Sequence, residues 1–192
     1  MKKGKIFIKA IYAGVMIGVG GCVYLSVENR IVGSLLFSFG LLTIVTQGFW
    51  LYTGKIGFVK KIRELADMAL VVAGNYIGTF LTALLVRLSG LPLDTGELVD
   101  RKLDHSIWQV FFLSVLCGVM MYLAIDNYNK SRHIIFIMLP VMIFILSGFE
   151  HSVANMFYFH LAGAWGSRPL GYLLVMVLGN GVGAKLFDLK PE

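Results

Sequence analysis

Residues 147 to 160 read "SGFEHSVANMFYFH" and follow "IIFIMLPVMIFIL" at 134 to 146, thirteen residues without a charge. Glu150, His151, Ser152 and Asn155 thus fall where an apolar helix ought to continue. An ionisable group within a membrane is costly and marks a functional position by default, so the nature of the surrounding chain decides the reading. Of its 192 residues, 57% are hydrophobic and 15% charged, and the mean hydropathy is +0.78. Soluble domains carry roughly 45–50% apolar residues. The chain is therefore expected to be an all-α integral membrane protein.

A hydrocarbon core about 30 Å thick needs roughly 20 apolar residues per helix. That ruler gives six spans, near 6–27, 31–58, 66–90, 106–126, 133–159 and 169–187. The "MKKGK" start leads into apolar sequence as far as residue 27, which fits a retained span better than a cleaved signal peptide. Cytoplasmic loops carry the excess of Lys and Arg. With the amino terminus inside, Lys2, Lys3, Lys5, Lys9, Lys55, Lys60, Lys61, Arg63, Lys130, Arg132, Lys185 and Lys190 lie on the inner side. Arg30, Arg87, Arg101, Lys102 and Arg168 lie outside, and twelve against five places both termini in the cytoplasm. The net charge of +6 therefore follows topology and not a nucleic-acid-binding face. Cys22 and Cys117 sit in apolar segments as isolated thiols, so neither a disulfide framework nor a metal site is expected.

Spans two and five are long and interrupted, at "QGFWLYTGK" (47–55) and "SGFEHSVAN" (147–155). Gly48-Phe49 recurs as Gly148-Phe149, and Gly74-Asn75 in "GNYIGT" recurs as Gly179-Asn180 in "GNGVGA". An odd number of spans separates the copies, so residues 6–90 and 106–187 are expected to form two inverted repeats within one domain covering 1–192. Interrupted segments at matching positions of two such halves point to a transport site. Irregular backbone at that depth survives only when buried in protein or lining a water-accessible path. A pair of plain glycine kinks is the competing reading.

These motifs resemble the formate-nitrite transporter family: "GFEHSVANM" is similar to its signature, and "LYTG" (51–54) to its omega-loop motif. "GNYIG", "GNGVG" and "LCGVMMYLA" (116–124) resemble its third, sixth and fourth helices. The resemblance runs from about residue 8 to 187. It implies an aquaporin-like protomer of six helices with the second and fifth broken, a homopentamer, and one pore per protomer for small monovalent anions such as formate, nitrite, hydrosulfide or lactate. No cofactor and no enzymatic activity are implied.

By the same resemblance His151 occupies the centre of the pore. Its imidazole also titrates near neutral pH when unperturbed. Thr53 matches the omega-loop threonine and offers a hydroxyl opposite the ring, and Asn155 is expected to brace the broken backbone. Glu150 is left open between setting the histidine tautomer and meeting a neighbouring subunit. Phe37, Leu41, Leu51, Tyr52 and Phe144 fall where the family narrows its pore, with the Tyr52 hydroxyl at one rim. Lys102, read from the residues alone, is a solvated lysine. Aligned on "LCGVMMYLA", it takes the place of a lysine at the pore entrance, with His105 as a possible helper.

Two positions depart from the family pattern. Trp50 stands where an acidic residue is common, and Lys55 where a polar amide is common. The chain is also shorter than usual at both ends, which would reduce gating if those parts regulate.

Placing a bare anion in an apolar constriction costs on the order of 20 kcal/mol in the idealised Born limit. Permeation as the neutral acid, protonated near His151 and Thr53, avoids most of that cost. The proton comes either from the histidine or from water, and transport is either passive or proton-coupled. A membrane enzyme using Glu150 and His151 is the rival reading, but it lacks a cofactor loop, a metal set or an activated nucleophile.

Overall fold

The computed structural model describes residues 2–188, in which every regular element is helical. Lys190 of the inner-side basic set lies outside the described residues. Helix α1 (Lys3–Ser26) is followed by α2 (Arg30–Thr46), whose N-terminus is capped by Asn29 accepting from the backbone of Ile31 and Val32. After a break come the single turn α3 (Tyr52–Lys55), a 3-10 turn at Ile56–Phe58, and α4 (Glu64–Ser89). Then follow α5 (Gly96–Asp104), α6 (Ile107–Ser131), α7 (Ile135–Leu146), α8 (Ser152–Ala162) and α9 (Ser167–Asp188).

Among the described residues four helices, α1, α4, α6 and α9, are long and apolar enough to cross a membrane. At 17 and 12 residues, α2 and α7 extend only about 26 and 18 Å at 1.5 Å per residue. Each stops where the sequence predicts an interruption. Helix α6 continues past its expected end at 126 to Ser131. The outer loop expected between residues 89 and 105 contains the nine-residue helix α5. Its signal was present: Glu97 lies in the first turn and Arg101 and Lys102 in the last, the arrangement that complements a helix dipole.

Helix α1 packs on α4 and α2, α6 packs on α9 and α7, and α2 meets α7 at the centre. The two breaks have the same backbone. Gly48 and Gly148 take φ values of 63° and 72°, a left-handed conformation that a side chain disfavours. Phe49 N–H donates to Ile44 O and Phe149 N–H to Phe144 O, both at 2.9 Å. Trp50 N–H reaches across to Lys9 O (3.1 Å), and Glu150 N–H to Leu113 O (3.3 Å).

One buried asparagine holds each break. Asn75 accepts from Tyr52 N–H at 2.9 Å and donates to Ala10 O (2.8 Å) and Trp50 O (2.9 Å). Asn180 accepts from Ser152 N–H at 2.9 Å and donates to Ser114 O and Glu150 O, both at 2.8 Å. Each amide thus joins three chain segments and supplies a partner for the first N–H of the helix after the break. These N–H groups have no intrahelical acceptor, and in lipid an orphan would cost several kcal/mol.

Candidate functional site

The broken segments bring His151 and Thr53 together. Both are buried, at 2% and 1% exposure, and His151 Nε2 lies 2.9 Å from Thr53 Oγ1. His151 also caps α8, its Nδ1 accepting from Ala154 N–H at 3.1 Å. Nδ1 must keep its lone pair to accept that bond, so the ring is neutral, with its proton on Nε2 directed at Thr53 Oγ1. The tautomer is therefore set by the Ala154 backbone. Glu150, the side chain the sequence offered for that task, bonds elsewhere.

Glu150, 1% exposed, receives Lys102 Nζ and Asn155 Nδ2 on the same oxygen, each at 2.7 Å. Lys102, expected as a solvated lysine on the residues alone, is thus drawn 48 residues along the chain into an ion pair, and its side chain is 13% exposed. An ammonium has three donors, so this bond leaves two for the cavity that Lys102 lines. Asn155 also donates to Met176 Sδ at 3.2 Å, while its Oδ1 is buried without a partner. The backbone brace expected of Asn155 is supplied by Asn180 and Asn75 instead, through the bonds described above.

Two cavities approach this pair. One, of about 560 Å³, includes Lys102, Glu150, His151, Asn155 and Phe144 in its lining, with Arg30 at the start of α2 and Leu113 in α6. The other, of about 100 Å³, includes Leu41, Ile44, Leu51, Lys55, Ile125 and Asn129. Leu113 and Ile125 are twelve residues apart on α6, so the cavities lie about 18 Å apart along that helix. Phe144 stacks on His151 with centroids 5.3 Å apart and meets Phe37 edge-on at 6.1 Å.

Of the expected constriction residues, Phe144 lines the larger cavity and Leu41 and Leu51 the smaller. Phe37 is buried against Phe144. Tyr52 differs from its expected place at a rim. It lines neither cavity, and its hydroxyl donates to Val177 O in α9 at 2.9 Å. His105 lines the larger cavity, with Nδ1 3.2 Å from Arg101 O. Among the described residues no group of acidic, histidine or cysteine side chains is arranged to hold a metal.

Comparison with known proteins places this chain among transporters. The chain is 33% identical over 183 residues to formate channel FocA of Escherichia coli K12, covering 80% of this chain and 64% of the relative. Formate channel FocB of the same strain is 28% identical over 184 residues, covering 81% and 65%. The chain thus spans somewhat less than two thirds of the length of these relatives. The uncharacterized transporter YrhG of Bacillus subtilis is 30% identical over 185 residues, covering 83% and 69%. Among solved structures, a pentameric formate channel with formate bound superposes with a TM-score of 0.84 at 26% identity, covering 96% of this chain and 94% of that one. An FNT family ion channel gives 0.80 at 25%, covering 96% and 86%. The formate/nitrite transporter family model matches residues 1–189, and with that match and its apolar helices the chain is a multi-pass membrane protein that belongs to the formate/nitrite transporter family.

Proposed function

We propose that this protein is a passive channel for small monovalent anions of weak acids, with formate the first candidate because the similar channels are named for it. On this reading α2 with α3, and α7 with α8, form two broken spans that complete six. The halves 6–90 and 106–187 are inverted repeats within a single aquaporin-like channel domain. The protomer assembles as a homopentamer in the cytoplasmic membrane with both termini inside. Nitrite, hydrosulfide and lactate share the charge and approximate size that the path would admit.

The observation that carries the reading is the His151–Thr53 contact at 2.9 Å, buried between two cavities whose nearest walls include Phe144, Leu51 and Leu41. The anion enters the larger cavity and meets the two N–H donors of Lys102 that Glu150 leaves free. As it moves toward Phe144 it loses water, and a charged ion there faces the desolvation cost on the order of 20 kcal/mol already noted. It takes a proton from water in the cavity, forming an O–H bond on the anion and leaving hydroxide behind. The neutral acid then passes His151 and Thr53 and returns the proton to water beyond Leu51.

His151 supplies no proton in this scheme. Its Nδ1 accepts from Ala154 and its only N–H faces Thr53, so the neutral ring has no acidic proton to spare. It serves as a fixed N–H donor to Thr53 Oγ1, which leaves the Thr53 hydroxyl proton free to face the passing acid.

Flux of labelled formate into proteoliposomes containing the purified protein tests the reading. The neutral fraction of a weak acid rises about tenfold per unit fall in pH above its pKa, so flux at fixed total formate should climb steeply as external pH falls. His151→Asn should lower it at least tenfold. No flux above protein-free liposomes, or flux indifferent to pH, would sink the proposal, while accumulation driven by an imposed proton gradient would favour symport over passive conduction.

A further inference from the structure

The smaller cavity has its own charge arrangement. Lys55 is the charged residue in its lining, and Asn129 adds an amide to walls otherwise built from aliphatic, Phe and Gly residues. Lys55 Nζ lies 5.5 Å from the centroid of the Trp50 ring. Both residues are half-buried. Among the described residues Lys55 makes no ion pair, in contrast to Lys102, which Glu150 neutralises at 2.7 Å.

The remaining charge at this cavity has the same sign as Lys55. Helix α2 ends beside it, and the carbonyls at a helix C-terminus carry a partial negative charge of about half an electron. Lys9 Nζ sits on one of the carbonyls just past that end, donating to Gly48 O at 3.1 Å. That half charge offsets the Lys9 ammonium only in part, and Lys9 and Lys55 repel one another, so the potential at this cavity is positive.

From this geometry we infer that Lys55, steadied over Trp50, is a second anion-capture site, which takes small monovalent anions at the mouth opposite Lys102. Two features limit the ligand to that class. A cavity of about 100 Å³ admits an ion of a few non-hydrogen atoms and excludes nucleotides and peptides. An ammonium without a carboxylate partner in a half-desolvated site attracts an anion strongly, while a divalent cation would be repelled.

The cation–π contact gives the site its geometry. An ammonium over an indole face keeps a favourable partner without surrendering all its N–H donors, so Lys55 stays extended toward the cavity and still binds a passing anion. Trp50 and Lys55 are the two residues at which this chain departs from the motif it otherwise resembles. As a part of a permeation path the site rests on the transport reading above, but binding at Lys55 does not.

Trp50 provides a direct probe. In detergent-purified protein carrying Trp108→Phe and Trp165→Phe, the remaining indole is Trp50, and iodide and acrylamide serve as charged and neutral quenchers. We expect Lys55→Gln to lower the iodide quenching constant at least twofold at low ionic strength, with acrylamide quenching unchanged. The difference should disappear near 1 M inert salt, where the Debye length falls to about 3 Å. Lys55→Arg should retain the iodide effect. Equal iodide quenching with and without the Lys55 charge, or loss of the effect in Lys55→Arg, overturns the inference. Iodide capture with no anion flux in proteoliposomes would leave the Lys55 site standing and defeat the channel reading alone.

Discussion

Replacing Asn180 by Ala removes three hydrogen bonds from the centre of the molecule, and their values can be worked one by one. Ser114 O lies within α6, so it retains an intrahelical donor, and its loss is the smallest. Ser152 N–H and Glu150 O lie at the break and have no helical ladder to fall back on. Net values per bond are about 0.5–1.5 kcal/mol, and side-chain bonds measured within membranes average about 0.6 and reach about 1.7 kcal/mol. An orphaned buried donor costs about 1–3 kcal/mol. The sum is a destabilisation of about 2–5 kcal/mol, on the order of 10 °C in melting temperature for a chain this size. Asn75→Ala removes the corresponding three bonds from the other break, and its cost should agree within about 1 kcal/mol. Cys117, free and buried, reports the transition through its labelling by a thiol dye on heating in detergent, in a Cys22→Ser background. Both variants should also lose anion flux, because each break loses the bonds that position His151 or Thr53. A melting temperature within 2 °C of the parent for either variant, or a large loss in only one, would refute the claim that the two asparagines do the same work.

Glu150→Gln leaves Lys102 without its compensating charge; the half-saturating formate concentration should fall severalfold at low salt and the melting temperature should drop, both measured on purified protein. Phe144→Ala opens the wall shared by Phe37 and His151. It should cost about 3–5 kcal/mol of stability and raise lactate flux relative to formate flux in proteoliposomes. Lys185→Met removes the donor that reaches Gly57 O, Val59 O and the Asp188 carboxylate. The segment after the 3-10 turn should then be cut faster by trypsin at Lys60, Lys61 or Arg63, read as the rate of fragment appearance on a gel.

The backbone of both breaks was legible because it depends on residues with few substitutes. A left-handed φ selects glycine, so Gly48-Phe49 and Gly148-Phe149 announce the same turn at two places in the chain. The asparagines were visible as a repeat but not as braces, since nothing local shows that Asn180 reaches Ser114 and Ser152 at the same time. Pairings across long separations stayed hidden for that reason, as with Lys102 and Glu150 or the Tyr52 hydroxyl and Val177. What the repeat offers beyond this is a way to find the site by subtraction. When two segments share a backbone, their dipoles and hydrogen bonds match, and the difference in local chemistry must come from side chains that differ. Offset by 100 residues across 47–55 and 147–155, Gly48 and Phe49 recur and the other seven positions differ, among them Trp50 and Glu150, Leu51 and His151, and Thr53 and Val153. In the fold four of these six surround the gap between the cavities or pair across it: His151 with Thr53, Leu51 on one side, Glu150 on the other. A fifth, Trp50, supports Lys55 at the smaller cavity. These differences put Glu150 and His151 in the lining of one cavity and Leu51 in that of the other, although the two breaks share a backbone.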